Sequence, residues 1–209
     1  MTSKTYGVMF KAEMILAYLA GLKTQTRRLH GLKHINQEPD LWTLRGIGNG
    51  LALFQHKENQ KYLAPARLPY GDEACTLWFR ETWRELIDLG PGTNSSHNYV
   101  DYRADHHNDV LPDLNVDVKW KSSMLMPHWA SRFQDIPITR VRVERLQSIT
   151  AADAFAEGVR DTYLHQIPDW MDVDSYAELW NEINGKTFPW QSNPWVFVYE
   201  FPKYNKEKQ

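Results

Sequence analysis

One cysteine, Cys75, stands in a chain of 209 residues. No internal disulfide can staple the fold, and the expected setting is a reducing cytoplasm. Cys75 precedes an apolar run and reads as buried filler. Long hydrophobic runs are missing as well: none approaches the roughly 18 residues of a membrane span. The start, Met1-Thr2-Ser3-Lys4, leads into no apolar stretch, so no secretory signal is read. Charge of one sign is also absent, with 24 basic against 26 acidic residues and a net charge of −2. A protein that grips nucleic acid by bulk charge is usually basic. Any nucleic-acid contact here must come from a local basic patch, or the ligand is a single nucleoside. Metal-ligand spacing is missing too. His106-His107 lie among Asp101, Asp105, Asp109, Asp113 and Asp117, but the pattern matches no standard ligand set, so neither metal nor cofactor is expected. Gly46-x-Gly48-x-Gly50 lacks the Gly-Lys-Ser/Thr of a phosphate loop and reads as a turn before a strand at Leu51–Gln55. Asn94-Ser95-Ser96 matches a glycosylation acceptor by pattern alone. No internal repeat is found.

What is present is ordinary in bulk and unusual in one stretch. Hydrophobic content is 42% and charged content 24%, as in soluble globular domains. The length suits one domain, 1–209, with insertions at roughly 30–70 and 85–125 and a polar tail at 203–209. Nine tryptophans exceed what a core alone needs, and tryptophan also stacks on bases. The unusual stretch is Gly21-Leu22-Lys23-Thr24-Gln25-Thr26-Arg27-Arg28. A helix over Lys11–Ala20 runs into it, with Met14, Ile15, Tyr18 and Leu19 on one face. Gly21 suits the residue after the helix, where φ turns positive. Alternating β-branched threonines then predict a strand. Thr24, Thr26 and Arg28 share one side of it, and Lys23, Gln25 and Arg27 the other. A charged edge strand would look the same.

Later elements follow from similar signals. Thr76–Trp83 reads as a strand, with Glu81 out of place on its apolar parity and Trp78 on the opposite side. Pro127 suits the first turn of a short helix carrying Trp129, with Arg132 about one turn on. Ile136–Ile149 is the longest strand pattern and puts Arg140 and Arg142 on one face. Thr150-Ala151-Ala152-Asp153 resembles a capping box, and Gly158 ends the helix that it opens. Glu157 then sits at a helix C-terminus, where the dipole disfavours negative charge, which makes it a candidate proton donor. A helix over Tyr176–Ile183 and a strand over Val196–Phe201 close the chain, with Trp195 in an aromatic loop between them. Short strands broken by short helices predict an α+β fold: a small, partly closed β-barrel with peripheral helices and long loop insertions.

The helix followed by Gly21-x-Lys23-x-x-Thr26-x-Arg28 resembles the signature of the ASCH domain, a PUA-like β-barrel family. Leu77–Trp83, Met126–Arg132, the strand into Ile149-Thr150, and Ala154–Gly158 resemble longer phage and prophage members in the same order. The resemblance implies nucleic-acid or nucleoside binding in a cleft beside a barrel. It also implies similarity to a compact branch that hydrolyses the acetyl amide of N4-acetylcytidine. Carried over, Thr26 would be the nucleophile, Lys23 its base and Glu157 the proton donor, with Arg28 steadying negative charge. Glu81, Trp78, Trp129, Arg132 and Trp195 are candidates for holding substrate. The chain is about twice as long as that branch. The alternatives are a non-catalytic RNA- or nucleotide-binding module of phage origin, with Arg140 and Arg142 on the backbone; a ribonuclease drawing on His30, His34 or Glu157; or a protein-binding barrel whose partner meets the acidic insertion.

Overall fold

The structure, a computed structural model, describes residues 4–89, 96–106, 119–159 and 169–206; side chains are described for all of these except 87–89, 96–98 and 169–172. The fold is mixed α+β, mostly short strands in small sheets with few helices. In chain order the elements are β1 (Thr5–Met9), α1 (Ala12–Leu19), β2 (Gln25–Arg28), β3 (Trp42–Gly48), β4 (Leu51–His56) and β5 (Leu63–Arg67). Next come β6 (Thr76–Arg80), β7 (Trp83–Leu89), β8 (Ser96–Tyr102), β9 (Ile136–Pro137) and β10 (Arg140–Arg145). The chain then runs through α2 (Ala151–Ala156), α3 (Asp169–Asn184) and β11 (Trp195–Glu200).

Four sheets result, and no closed barrel is found among the described residues. β1 runs parallel to β6, which pairs with β9. β11 is the centre of a second sheet, antiparallel to β10 on one side and to β2 on the other. β3, β4 and β5 make an antiparallel meander, and β7 with β8 a hairpin. Three of these sheets share one core: Val8, Leu77 and Phe79 from the first, Val143, Phe197 and Tyr199 from the second, Ala52 and Phe54 from the third. Tyr18 of α1 plugs this core from above, with edge-on contacts to Phe79, Phe133 and Phe201. α3 covers a second cluster, laying Tyr176 and Trp180 against Leu146, Ile149, Val196 and Val198.

Several sequence expectations needed correction. The long strand expected over Ile136–Ile149 is two strands and a 3-10 turn. Pro137 has no N–H to continue a ladder, and Leu146 N–H leaves the strand to bond Pro194 O. The final helix begins before Tyr176, at Asp169, and Val173 of the added turn packs against the same cluster as Tyr176 and Trp180. Residues 30–70, read as mixed loop around one strand, hold a whole sheet. The composition-shifted stretch after Glu85 opens with the β7–β8 hairpin. The loop at 91–95, with its glycosylation-like pattern, and the acidic stretch at 107–118, with its expected protein partner, lie outside the described residues.

Candidate functional site: a buried lysine between two chain ends

The site is built where α1 ends and α2 ends. Gly21 takes φ +70, and the chain folds back so that Leu22 and Lys23 N–H both bond Ala17 O. Lys23 is thereby tucked beneath its own helix. Thr24 N–H then bonds Ala156 O, the last carbonyl of α2. That helix starts at a full capping box, Thr150 with Asp153, and Glu157 is its C-cap. Gly158 follows at φ +89. A Cβ there would lie 2.7 Å from Ala17 Cβ and 3.2 Å from Lys23 Cβ, so only glycine lets the two chain turns meet.

The result is a buried ionic knot. Lys23 has no exposed surface, Thr26 has 3%, and Arg27 and Glu157 have 5% each. Lys23 Nζ donates to Glu157 O at 2.7 Å and to Glu157 Oε2 at 3.0 Å. Arg27 donates to the other carboxylate oxygen, Oε1, at 3.1 Å, and with its second terminal nitrogen to Glu144 Oε1 at 2.7 Å. Burial pushes the Lys23 amine below its ordinary value. Glu157 opposes that shift, while Arg28 and Arg27 add to it. Lys23 and Arg28 also lie over the Phe10 ring, at 5.2 and 5.3 Å. The Nε atoms of Arg27 and Arg28 have no acceptor among the described residues, a costly state for a buried donor.

Two cavities meet this knot. The smaller, about 90 Å³, is lined by Thr26, Arg27 and Arg28 of β2, by Glu157, and by Tyr176, Leu179, Trp180 and Ile183 of α3. The larger, about 240 Å³, is lined by Lys11, Glu13, Gly158 and Glu182. Met14, Glu157 and Leu179 belong to both walls. Thr26 makes no side-chain hydrogen bond among the described residues, which leaves its hydroxyl to the cavity. α3 is a fixed wall, since Tyr176 and Trp180 are only 4% and 3% exposed beneath it. The exposed pair Lys11–Glu182, 2.6 Å apart, stands at the outer cavity.

Of the residues singled out in the sequence, Lys23, Thr26, Glu157 and Arg28 come together. Glu81, Trp78, Trp129, Arg132 and Trp195 line neither cavity. Glu81 is a buried counter-ion, held by two bonds of 2.9 Å from Arg132, which also grips Asp105. Trp78 packs edge-on to His128, and Trp129, 62% exposed, edge-on to Trp83. Trp195 is fastened below the meander by its Nε1 bond to Pro39 O and its edge contact with Phe54. Arg142 is held by Glu144, Asp153 and Glu200. The aromatic residues at the cavity are Tyr176 and Trp180, and the ion that completes the knot is Arg27. Helical spacing puts Tyr176, Leu179, Trp180 and Ile183 on one face but does not say what that face meets. Alternation put Lys23 and Arg27 on the same side of β2, a clue to Arg27 that only a partner carboxylate makes meaningful.

No known protein-family model matches the chain, and no curated protein or solved structure matches it.

Proposed function

We propose that the cavity lined by Thr26 and Glu157, with Lys23 bonded behind Glu157, hydrolyses an acyl amide on a nucleoside, N4-acetylcytidine being the model substrate, and that the chain is a long ASCH-type, PUA-like protein. One observation carries the proposal. Thr26 and Glu157, picked from the sequence as nucleophile and acid, line one cavity, and Lys23, picked as base and 134 positions from Glu157, is bonded to Glu157 behind that wall. In this mechanism Thr26 Oγ attacks the acyl carbon and its proton passes to neutral Lys23. A neutral amine has two N–H bonds, and Glu157 accepts both, so the lone pair is what remains to accept a proton. Glu157 therefore acts first as the anchor of Lys23. Arg28 steadies the tetrahedral oxyanion. The C–N bond breaks, the departing amine takes the proton from the Lys23 ammonium, and water then releases the acyl group from Thr26. The paired cavities suit a nucleoside, with the acyl end beside Thr26 in the smaller one and the sugar in the larger.

The enzyme is favoured over the RNA-binding module by the state of the arginines. Arg27 and Arg142 are engaged by carboxylates, which leaves Arg28 and the exposed Arg140 as the cations open to a phosphate backbone, fewer than the sequence pattern offered. The test is incubation with N4-acetylcytidine followed by chromatography of released cytidine, for the parent, Thr26→Ala and Lys23→Ala. Turnover by the parent and a loss of about 100-fold or more in both variants is the expected result. No cytidine from the parent ends the proposal.

A further inference from the structure

Away from the inward Trp42 and Phe54, the β4–β5 part of the meander puts small residues inward and leucines outward. Strands with one wet face usually place large apolar residues inward and polar ones outward. Here β4 reads Leu51-Ala52-Leu53-Phe54, and β5 reads Leu63-Ala64-Pro65-Ala66. The inward positions Ala52, Ala64 and Ala66 are 0%, 4% and 1% exposed, while Leu51, Leu53 and Leu63 are 41%, 37% and 47% exposed. The register puts Leu53 beside Pro65 on one side and Gly46 on the other, and Leu51 beside Gly48. Leucines thus rise over a glycine floor. Three of the large hydrophobic residues exposed among the described ones, Leu51, Leu53 and Leu63, share this face with Pro65, while Ile47 lies opposite the inward Ala52 on the other face. A contiguous apolar face of this kind marks an interaction site.

Charge says what covers it. Residues 42–67 hold Arg45, Lys57, Lys61 and Arg67 against one acid, Glu58, in a chain whose net charge is −2. Arg67 lies opposite Leu51, and Arg45 is the extra residue of the bulge opposite Leu53. Both are exposed, and neither has an ion pair among the described residues. We infer that this face docks a partner protein whose surface carries an apolar centre ringed by Asp and Glu. A second copy would set Arg45 and Arg67 against like charge across a twofold axis. A membrane-seated face would carry interfacial tryptophan and a denser set of cations, and a nucleic-acid platform would present aromatics rather than leucines. Docking is through the face and not by strand addition: Pro65 has no N–H to offer at the β5 edge, and the bulge breaks the β3 edge.

The test places a photo-crosslinking amino acid at position 53 of the full chain, in extract of the producing cell. The captured protein is identified, purified and titrated calorimetrically. The expected partner crosslinks through an acid-rimmed apolar surface. Its affinity falls at least tenfold with Leu53→Asp or Leu63→Ser, several-fold with Arg67→Glu, and further with added salt. Circular dichroism confirms that the variants are folded, as expected for exposed positions. The inference is overturned if nothing is captured or if affinity is unchanged in the variants. It is equally overturned if light scattering shows a dimer that Leu53→Asp dissolves, or if phosphatidylglycerol vesicles bind the parent and not that variant.

Discussion

Two ionic centres are buried in this protein, and they are built from similar parts. One ties Lys23 and Arg27 to Glu157; the other ties Arg132 to Glu81 and Asp105. Both join distant segments, and in both a carboxylate almost without solvent has each oxygen bonded by a cationic group, from Lys23 and Arg27 at Glu157 and from Arg132 alone at Glu81. They differ in which member burial has perturbed. At the first, burial lowers the amine of Lys23, a group able to lose its proton and act as a base. At the second, the cation is an arginine, which keeps its proton, and burial acts on the acid, raising Glu81 against the pull of Arg132. A cavity opens beside the first, and none of those described reaches Glu81 or Arg132 at the second. Buried ion pairs are thus common ground for structure and chemistry. What separates them is a titratable cation bonded to a carboxylate that lines a cavity, with an unbonded hydroxyl on the same wall.

The largest effect expected from breaking this contrast is at Lys23. Lys23→Met leaves Glu157 buried with Arg27 alone, and removing one partner of a buried pair costs about 3–5 kcal/mol. Urea denaturation should show it, together with loss of the proposed amide hydrolysis. Arg132→Met should cost a similar amount by the same measurement, yet leave the hydrolysis rate per folded molecule within a few-fold. Equal loss of activity in both variants would erase the distinction between the centres. Gly158→Ala comes next. The new Cβ meets Ala17 and Lys23 at φ +89, so about 1–3 kcal/mol of strain is expected, with an activity loss larger than its stability loss because Lys23 is displaced.

Stability against pH sharpens the contrast by sign. Lys23 has a lowered folded value, so the unfolded chain binds more protons just below its ordinary 10.5, and stability rises with pH through that window. Glu81 has a raised value, so the folded chain holds more protons above 4.5, and its contribution falls as pH rises through the window. Lys23→Met and Glu81→Gln should each flatten its own limb in denaturation series across pH. Asp153, held at about 2 against an ordinary 3.8 by bonds from Thr150, Arg142 and Gln25 that outweigh its partial burial, contributes stability above about 4 that is lost as pH falls toward 2. Screening by solvent limits this to about 1 kcal/mol, and Asp153→Asn should remove it. The smallest effect belongs to Lys11–Glu182. Both side chains are about half exposed or more, so Lys11→Ala should change stability by about 0–1 kcal/mol.

The opening motif was legible because its signals are local. A glycine stop, alternating threonines and a capping box eight residues before Gly158 are short-range features, and the expected helix ends and strand were found there. The convergence of Lys23 with Glu157 was reached through resemblance, since no local rule links residues 134 apart. The tryptophan assignments missed the cavity for a related reason. Trp78, Trp129 and Trp195 occupy plausible strand and turn positions, but which aromatics face the cavity depends on how α3 crosses β2. The meander was hidden because its leucines and alanines carry no polar alternation, and alternation is the sign by which a half-wet sheet is recognised.

The account turns on Thr26 being the atom that attacks. The most direct measurement is rapid acid quench of the protein mixed with N4-acetylcytidine, followed by peptide mass spectrometry. An acetyl group on the peptide containing Thr26, absent in Thr26→Ala and formed more slowly as pH falls and Lys23 protonates, is the predicted result. Cytidine release by Thr26→Ala at the parent's rate, with no acetylated peptide in either protein, would contradict it.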